Sequence, residues 1–206
     1  MPEKSIPDVV VSRLPRYLQA LEHLEKDGVQ TTSSQELGEF IGISAAQIRK
    51  DLSQYGEFGK QGKGYNIHYL IHKLREILKV NRIWEMALVG AGNLGHAIAN
   101  YQGFAEHGFR IALIFDSDPL KIGQKAGNLI VQDANQMVEK IRHHGIKIGM
   151  ITVPASEAQA VADSLIAAGV RAILNYAPIT LSVPRGVHVQ YVDPIIYLQR
   201  MTYYLE

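Results

Sequence analysis

The sequence predicts an α/β protein in three parts: a helical head with a β-hairpin over residues 1–82, a doubly wound parallel sheet over 83–192, and a closing helix over 193–206. Three observations predict it. Two short segments near residue 40 each open with the spacing of a capping box, and a single Ile-Gly-Ile turn separates them. A short apolar run at 84–89 leads straight into a glycine-rich loop, and strand-like and helix-like segments alternate from there to residue 192. The final residues are apolar on nearly every helical face.

In the head, Leu14, Leu18, Leu21 and Leu24 recur at three- and four-residue spacing and form one apolar helix face. Pro15 is tolerated in the first turn, and Gly28 marks the end. Ser33 and Glu36 have capping-box spacing and open a helix through Phe40, which Gly42 stops. Ser44 and Gln47 repeat that spacing and open a third helix, with Ile48 and Leu52 one turn apart. Two capped helices around a tight turn make a helix-turn-helix pattern, whose second helix enters the major groove in DNA-binding proteins.

That second helix carries Gln47, Arg49, Lys50, Ser53 and Gln54 around its apolar stripe, with Ser44 at its start. Arg and Gln pair with guanine and adenine edges, while Lys and Ser suit phosphates. The stretch from Phe58 to Tyr65 has a glycine-rich tip between aromatic ends and reads as a hairpin wing. Lys60, Gln61, Lys63 and Tyr65 are its candidate DNA contacts, since glycines let the backbone approach the duplex closely. An amphipathic packing module with a solvated basic face satisfies the same spacing. A further helix is expected from Tyr69 to Lys79, and His68 and His72, with no third ligand at suitable spacing, are expected to face solvent rather than a metal.

Charge sharpens the choice. The 206 residues carry a formal net charge of +1, but residues 47–82 alone hold eight basic and three acidic side chains. A basic excess confined to one short stretch is what a localised phosphate-contacting surface needs. With no cysteine, disulfide frameworks, zinc ribbons and thiol chemistry are excluded. No apolar run reaches the length of a membrane helix, and the first residues lack the layout of a secretion signal, so a cytoplasmic protein is expected.

In the second part, the strand Trp84 to Val89 runs into Gly90-Ala91-Gly92-Asn93-Leu94-Gly95, with a helix after it that places Ile98 and Tyr101 inward. Such a fingerprint in this context binds a dinucleotide. The first glycine allows the tight turn, the second lets backbone amides reach a pyrophosphate, and the third allows close helix–strand packing. The second strand, Arg110 to Asp116, ends in a carboxylate placed to accept from adenosine ribose hydroxyls and to repel a 2′-phosphate, which favours NAD(H) over NADP(H). Asp116 also reads as a turn residue in Asp-Ser-Asp-Pro, and the two roles are compatible.

A helix around Val138 and Ile141 follows, then strand 146–153, helix 160–168, strand 171–175 and strand 188–192. Val153, Pro154, Asn175 and Ala177, at strand carboxyl ends, are candidates to wall the nicotinamide end of a coenzyme. About 110 residues of sheet and helix leave no second domain for a substrate and proton donor, so an enzyme is not expected. Asp193 caps the last helix and Pro194 opens it; a helix apolar all round must be covered all round, by insertion between two subunits or by packing across the chain's own domains.

The order of these motifs, with Arg49-Lys50-Asp51-Leu52-Ser53, Gly62-Lys63-Gly64-Tyr65, the glycine loop, Phe115-Asp116 and Asn175-Tyr176-Ala177-Pro178, resembles the Rex family of bacterial redox-sensing repressors over essentially the whole chain. The resemblance implies a homodimer that binds an inverted-repeat operator, represses fermentative and respiratory genes, and is released by NADH. It implies that Tyr17 to Gly56 is the DNA-binding unit, that Gly90 to Gly95 holds the pyrophosphate and Asp116 the ribose, and that Tyr101 and Asp193 match positions tied to the switch. Two positions depart from the pattern: Gln19 stands where relatives can have an Arg that pairs with the carboxylate matching Asp193, and Pro194 stands where some have Phe. Arg13 or Arg16 could supply the missing cation. A small oxidoreductase, a CoA-binding-type Rossmann protein with a helical appendage, and a winged-helix protein adaptor are the alternatives.

Overall fold

The structure is a computed structural model that describes residues 6–60 and 64–205. It divides into two compact units, residues 1–81 and 82–206. Gln61, Gly62 and Lys63 of the expected wing lie outside the described residues.

The head comprises α1 (Asp8–Val11), α2 (Leu14–Lys26), β1 (Thr31–Thr32), α3 (Ser34–Ile41), α4 (Ala45–Leu52), β2 (Gly59–Lys60), β3 (Gly64–Asn66) and α5 (Ile67–Ile77). The leucine stripe of α2 is buried against Leu37 of α3, Ile48 and Leu52 of α4, and Ile67, Leu70 and Leu74 of α5. Each such side chain contributes about 1.5–3 kcal/mol by leaving water. The capping box at Ser33 and Glu36 is complete. At Ser44 only half of it forms: the hydroxyl accepts from the Gln47 amide N–H, but the Gln47 side chain turns to Asp51. Gly38 permits the tight helix pair, because a Cβ there would sit 2.3 Å from the Ile43 carbonyl oxygen. The wing strands pair antiparallel, and β1 adds a third strand to give the order β1-β3-β2. Two threonines carry no periodic signal, so β1 was not predicted.

Helix α5 starts at Ile67, ahead of the expected Tyr69, because the Asn66 side chain caps it. His68 and His72 face solvent beside Glu25 and Glu76.

The second unit comprises β4 (Trp84–Val89), α6 (Asn93–Ala99), α7 (Gly103–Glu106), β5 (Phe109–Asp116), β6 (Lys125–Ala126), β7 (Leu129–Asp133), α8 (Met137–His144), β8 (Ile148–Ile151), α9 (Ala155–Ala167), β9 (Ala172–Asn175), β10 (His188–Tyr191) and α10 (Pro194–Thr202). The sheet order is β10-β9-β8-β4-β5-β7-β6, parallel throughout except for the edge pair β6–β7. This is the doubly wound order, and the crevice of such a sheet opens between β4 and β8, where the winding reverses. Along β4, Ala87 and Val89 join the core under α8 and α9, while Met86 and Leu88 join the core on the opposite face. Burial on both faces explains the unbroken apolar run.

The hairpin β6–β7 was missed, since β6 has only two residues and depends on the turn at Gly127 (φ 60°). Helix α9 begins at Ala155 rather than Ala160, because its alanine-rich first turn lacks large apolar markers although Ala158 is fully buried.

Candidate functional site

In the head, α4 divides by face. Ile48, Asp51 and Leu52 point inward, and Arg49 and Lys50 point to solvent. Arg49 donates to the Ser34 hydroxyl at 2.8 Å, so its guanidinium spans from α4 to the first turn of α3. Ser53 and Gln54 are exposed but lie on a single 3₁₀ turn, Ser53–Tyr55, beyond the helix expected to carry them. Ser44 is exposed at the helix start. Gln47 is half-buried, and its amide nitrogen donates to Asp51 at 2.6 Å. Lys60 lies on β2, while Gln61 and Lys63 fall outside the described residues. Tyr65 is half-buried against the head core and braces the wing; burial pushes its hydroxyl pKa up.

Sequence reading missed the most connected group of the head. The fully buried Asp51 carboxylate receives Arg13 Nε at 2.5 Å and Nη2 at 2.7 Å, the Tyr17 hydroxyl at 2.6 Å, and the Gln47 amide. Burial raises its pKa, but the hydrogen bonds from Arg13, Tyr17 and Gln47 outweigh it and hold the group below the ordinary carboxylate range. Its signal was the i, i+3, i+4 spacing of Ile48, Asp51 and Leu52, which puts an acid on the inward stripe. Arg13 is thereby engaged and Arg16 donates to the Ile41 carbonyl.

In the second unit the glycine loop forms at the end of β4. Gly90 adopts φ 103°, and a Cβ there would fall 2.8 Å from the Thr152 carbonyl oxygen. A Cβ on Gly95 would fall 1.9 Å from the Gly90 carbonyl oxygen, whereas one on Gly92 meets nothing within 4 Å. Gly92 borders open space at the start of α6, with Asn93 and Leu94 exposed on its first turn, while Ala91 is buried. Thr152, another residue missed, pins the loop: its hydroxyl lies 2.8 Å from the Gly90 carbonyl and 3.0 Å from that of Val89.

Asp116, only 7% exposed, accepts from the Ala91 amide at 2.6 Å, from the Asp118 amide at 2.9 Å and from Lys121 at 3.2 Å. Burial raises its pKa, and these donors together lower it below the usual range. The carboxylate thus closes its own turn through the Asp118 amide and stands beside the glycine loop through the Ala91 amide.

Other candidates sit differently from expectation. Tyr101 is 61% exposed, not inward: α6 ends at Ala99, the helical period stops with it, and the ring packs edge-on against Phe104. Asn175 is buried, and its amide bonds the Ala177 and Ile179 backbone, so it builds the loop after β9. Val153 is half-buried against the core and Pro154 is exposed before α9. Asp193 caps α10 by accepting from the Ile195 amide. No residue of α10 is buried, and Ile196, Tyr197, Met201 and Tyr204 are each more than half exposed.

Comparison with known proteins fits both units. The family model described as "Putative DNA-binding protein N-terminus" matches residues 5–53, and that described as "CoA binding domain" matches residues 81–179. A redox-sensing transcriptional repressor Rex from Chloroflexus aggregans is 54% identical over 97% of this chain and 94% of its own, and one from Brevibacillus brevis is 46% identical over 98% of each. A crystal structure of RSP in complex with β-NAD+ and operator DNA superposes with a TM-score of 0.91 at 41% identity, covering 97% of this chain and 92% of that one. RSP in complex with β-NADH gives 0.90 at 39%, covering 98% and 95%. With identity of this degree over nearly the full length, the chain belongs to the Rex family of redox-sensing transcriptional repressors.

Proposed function

We propose that this protein represses transcription as a homodimer on an inverted-repeat operator, senses the NADH/NAD+ ratio, and leaves DNA when NADH binds. The observation that carries the reading is one chain holding both an outward polar row on a helix-turn-helix and a glycine cradle at a topological switch point. Residues 1–82 are the DNA-binding domain. Arg49, with Ser44, Gln47, Lys50, Ser53 and Gln54, addresses the major groove, and Lys60, Gln61 and Lys63 on the wing address the adjoining backbone and minor groove. Residues 83–192 hold the dinucleotide. The backbone from Gly90 to Gly95 fits a pyrophosphate, because the space above Gly92 is open and the N-terminus of α6 favours an anion. Asp116 faces the adenosine ribose, and Val153 and Pro154 border the ring at the far end.

The two coenzyme forms differ in the ring, neutral in NADH and cationic in NAD+, and a desolvated slot disfavours the cation. Tyr101 and Asp193 stand at the positions that relay this difference. Residues 193–206 are the dimerisation helix: its apolar faces are exposed in the single chain, and a partner subunit covers them. The site of action is the cytoplasm, where both operator and coenzyme pool lie.

Gel-shift titration with NADH and NAD+ tests the switch. NADH is expected to weaken operator binding by roughly 5–150-fold, the range of an allosteric coupling of about 1–3 kcal/mol, and equal binding in both coenzymes refutes the reading. Arg49→Ala is expected to abolish operator binding while NADH fluorescence titration gives the wild-type affinity. Loss of both together would mean misfolding.

A further inference from the structure

Asp51 belongs to α4, the helix assigned to the groove, yet its carboxylate points away from solvent and is 0% exposed. A buried charge persists only when its lone pairs are engaged. Here Oδ2 takes Arg13 Nε and the Tyr17 hydroxyl, and Oδ1 takes Arg13 Nη2 and the Gln47 amide nitrogen. Arg13 immediately precedes α2 and Tyr17 lies on its first turns, so the carboxylate keys α4 to α2. The guanidinium fork accepts a carboxylate in one plane. A slip of one residue turns a helix by about 100° and would carry Asp51 off that fork.

The same contacts fix Gln47. An ionised carboxylate only accepts, so the Gln47 amide must meet Asp51 with its nitrogen, which leaves its oxygen on the other side. The side chain therefore comes to the duplex with its orientation already set, on a helix whose rotation is already set.

We infer that Asp51 is a positioning residue for base reading: it holds α4 in one rotational setting and the Gln47 amide in one orientation, so that sequence selectivity depends on a side chain that never touches DNA. This rests on α4 being the groove helix. Without the carboxylate the amide of Gln47 can turn either way, while Arg49 and Lys50 still offer positive charge to phosphates. Selectivity falls and sequence-independent binding remains.

The test uses the full-length protein and a duplex selected by the wild type from a random-sequence library, with a panel of single-base changes in it. In Arg13→Met/Asp51→Leu, apolar side chains of similar volume replace the pair, an exchange that keeps folding stability in other buried ion pairs. The double variant leaves the buried Tyr17 hydroxyl without its partner and is expected to melt below wild type but to stay folded, to bind NADH unchanged, and to lose about 10- to 100-fold in affinity for the selected duplex. Its affinity for unrelated duplex should stay within about 3-fold at equal salt, since the phosphate contacts are untouched. A folded double variant with the wild-type base panel overturns the inference, because the network would then serve folding alone. If the double variant does not fold, Gln47→Ala decides: it leaves the Arg13 and Tyr17 contacts in place and is expected to flatten the panel at the positions that Gln47 reads, and an unaltered panel overturns the inference. Failure of the wild type to select any duplex is a separate result that removes the DNA-binding reading itself and this one with it.

Discussion

A methyl group added at Gly92 meets open space, while one added at Gly95 meets the Gly90 carbonyl oxygen at 1.9 Å. The two glycines of one loop therefore separate fold from ligand. Gly92→Ala is expected to melt as wild type and yet to bind NADH at least about 10-fold more weakly, because its Cβ would occupy the space proposed for the pyrophosphate. Gly95→Ala is expected to lose about 1–3 kcal/mol of stability in urea titration, since a packed backbone must move. Asp51 gives a pH signature. An unfolded Asp titrates near about pH 3.9, and the folded group titrates lower, so its stabilisation is present above the unfolded value and is lost as pH falls through the folded one. Asp51→Asn is expected to cost about 3 kcal/mol at pH 7, with the gap to wild type closing below about pH 4 in denaturant midpoints.

Among the elements, those fixed by local chemistry were legible in the sequence. The caps at Ser33, Ser44 and Asp193 are contacts between near neighbours, and each side chain accepts the amide that the spacing implied, although the reciprocal half of the box at Ser44 is lost to Asp51. The unbroken apolar run of β4, the glycine loop after it and the acid that ends β5 were legible in the same way. What was not legible depends on distant partners. The strand β1 exists through Tyr65 and Asn66, and β6 through β7. Asp51 is meaningful only beside Arg13, 38 residues earlier. Tyr101 follows the spacing of α6 in the sequence but lies beyond the helix, which stops at Ala99. One element carries visible strain: after α5, Lys79 takes φ 59°, unique among the described non-glycine residues. Lys79→Gly relieves it and is expected to raise stability by about 0.5–1 kcal/mol, read from thermal unfolding.

At the scale of the whole molecule, the proposed dimer rests on α10. Its apolar side chains are exposed in the single chain, with Ile196 at 62% and Tyr197 at 61%. Deleting residues 194–206 is expected to give a monomer in sedimentation equilibrium and to weaken operator binding by about 100-fold or more, as two linked half-site contacts become one. A truncated protein that remains a dimer would assign the interface elsewhere.

The latch between Asp116, Ala91 and Lys121 has a consequence for how such a sensor is tuned. In the proposed role it grips the adenosine half of the coenzyme, the half that is chemically identical before and after electron transfer. Whatever free energy that grip supplies enters both dissociation constants equally and vanishes from their quotient. Changes at Asp116 would therefore reset how much total coenzyme saturates the protein while leaving untouched the electron balance at which it flips. In that role, set point and sensitivity would reside on different side chains, and either could drift while the other stays fixed.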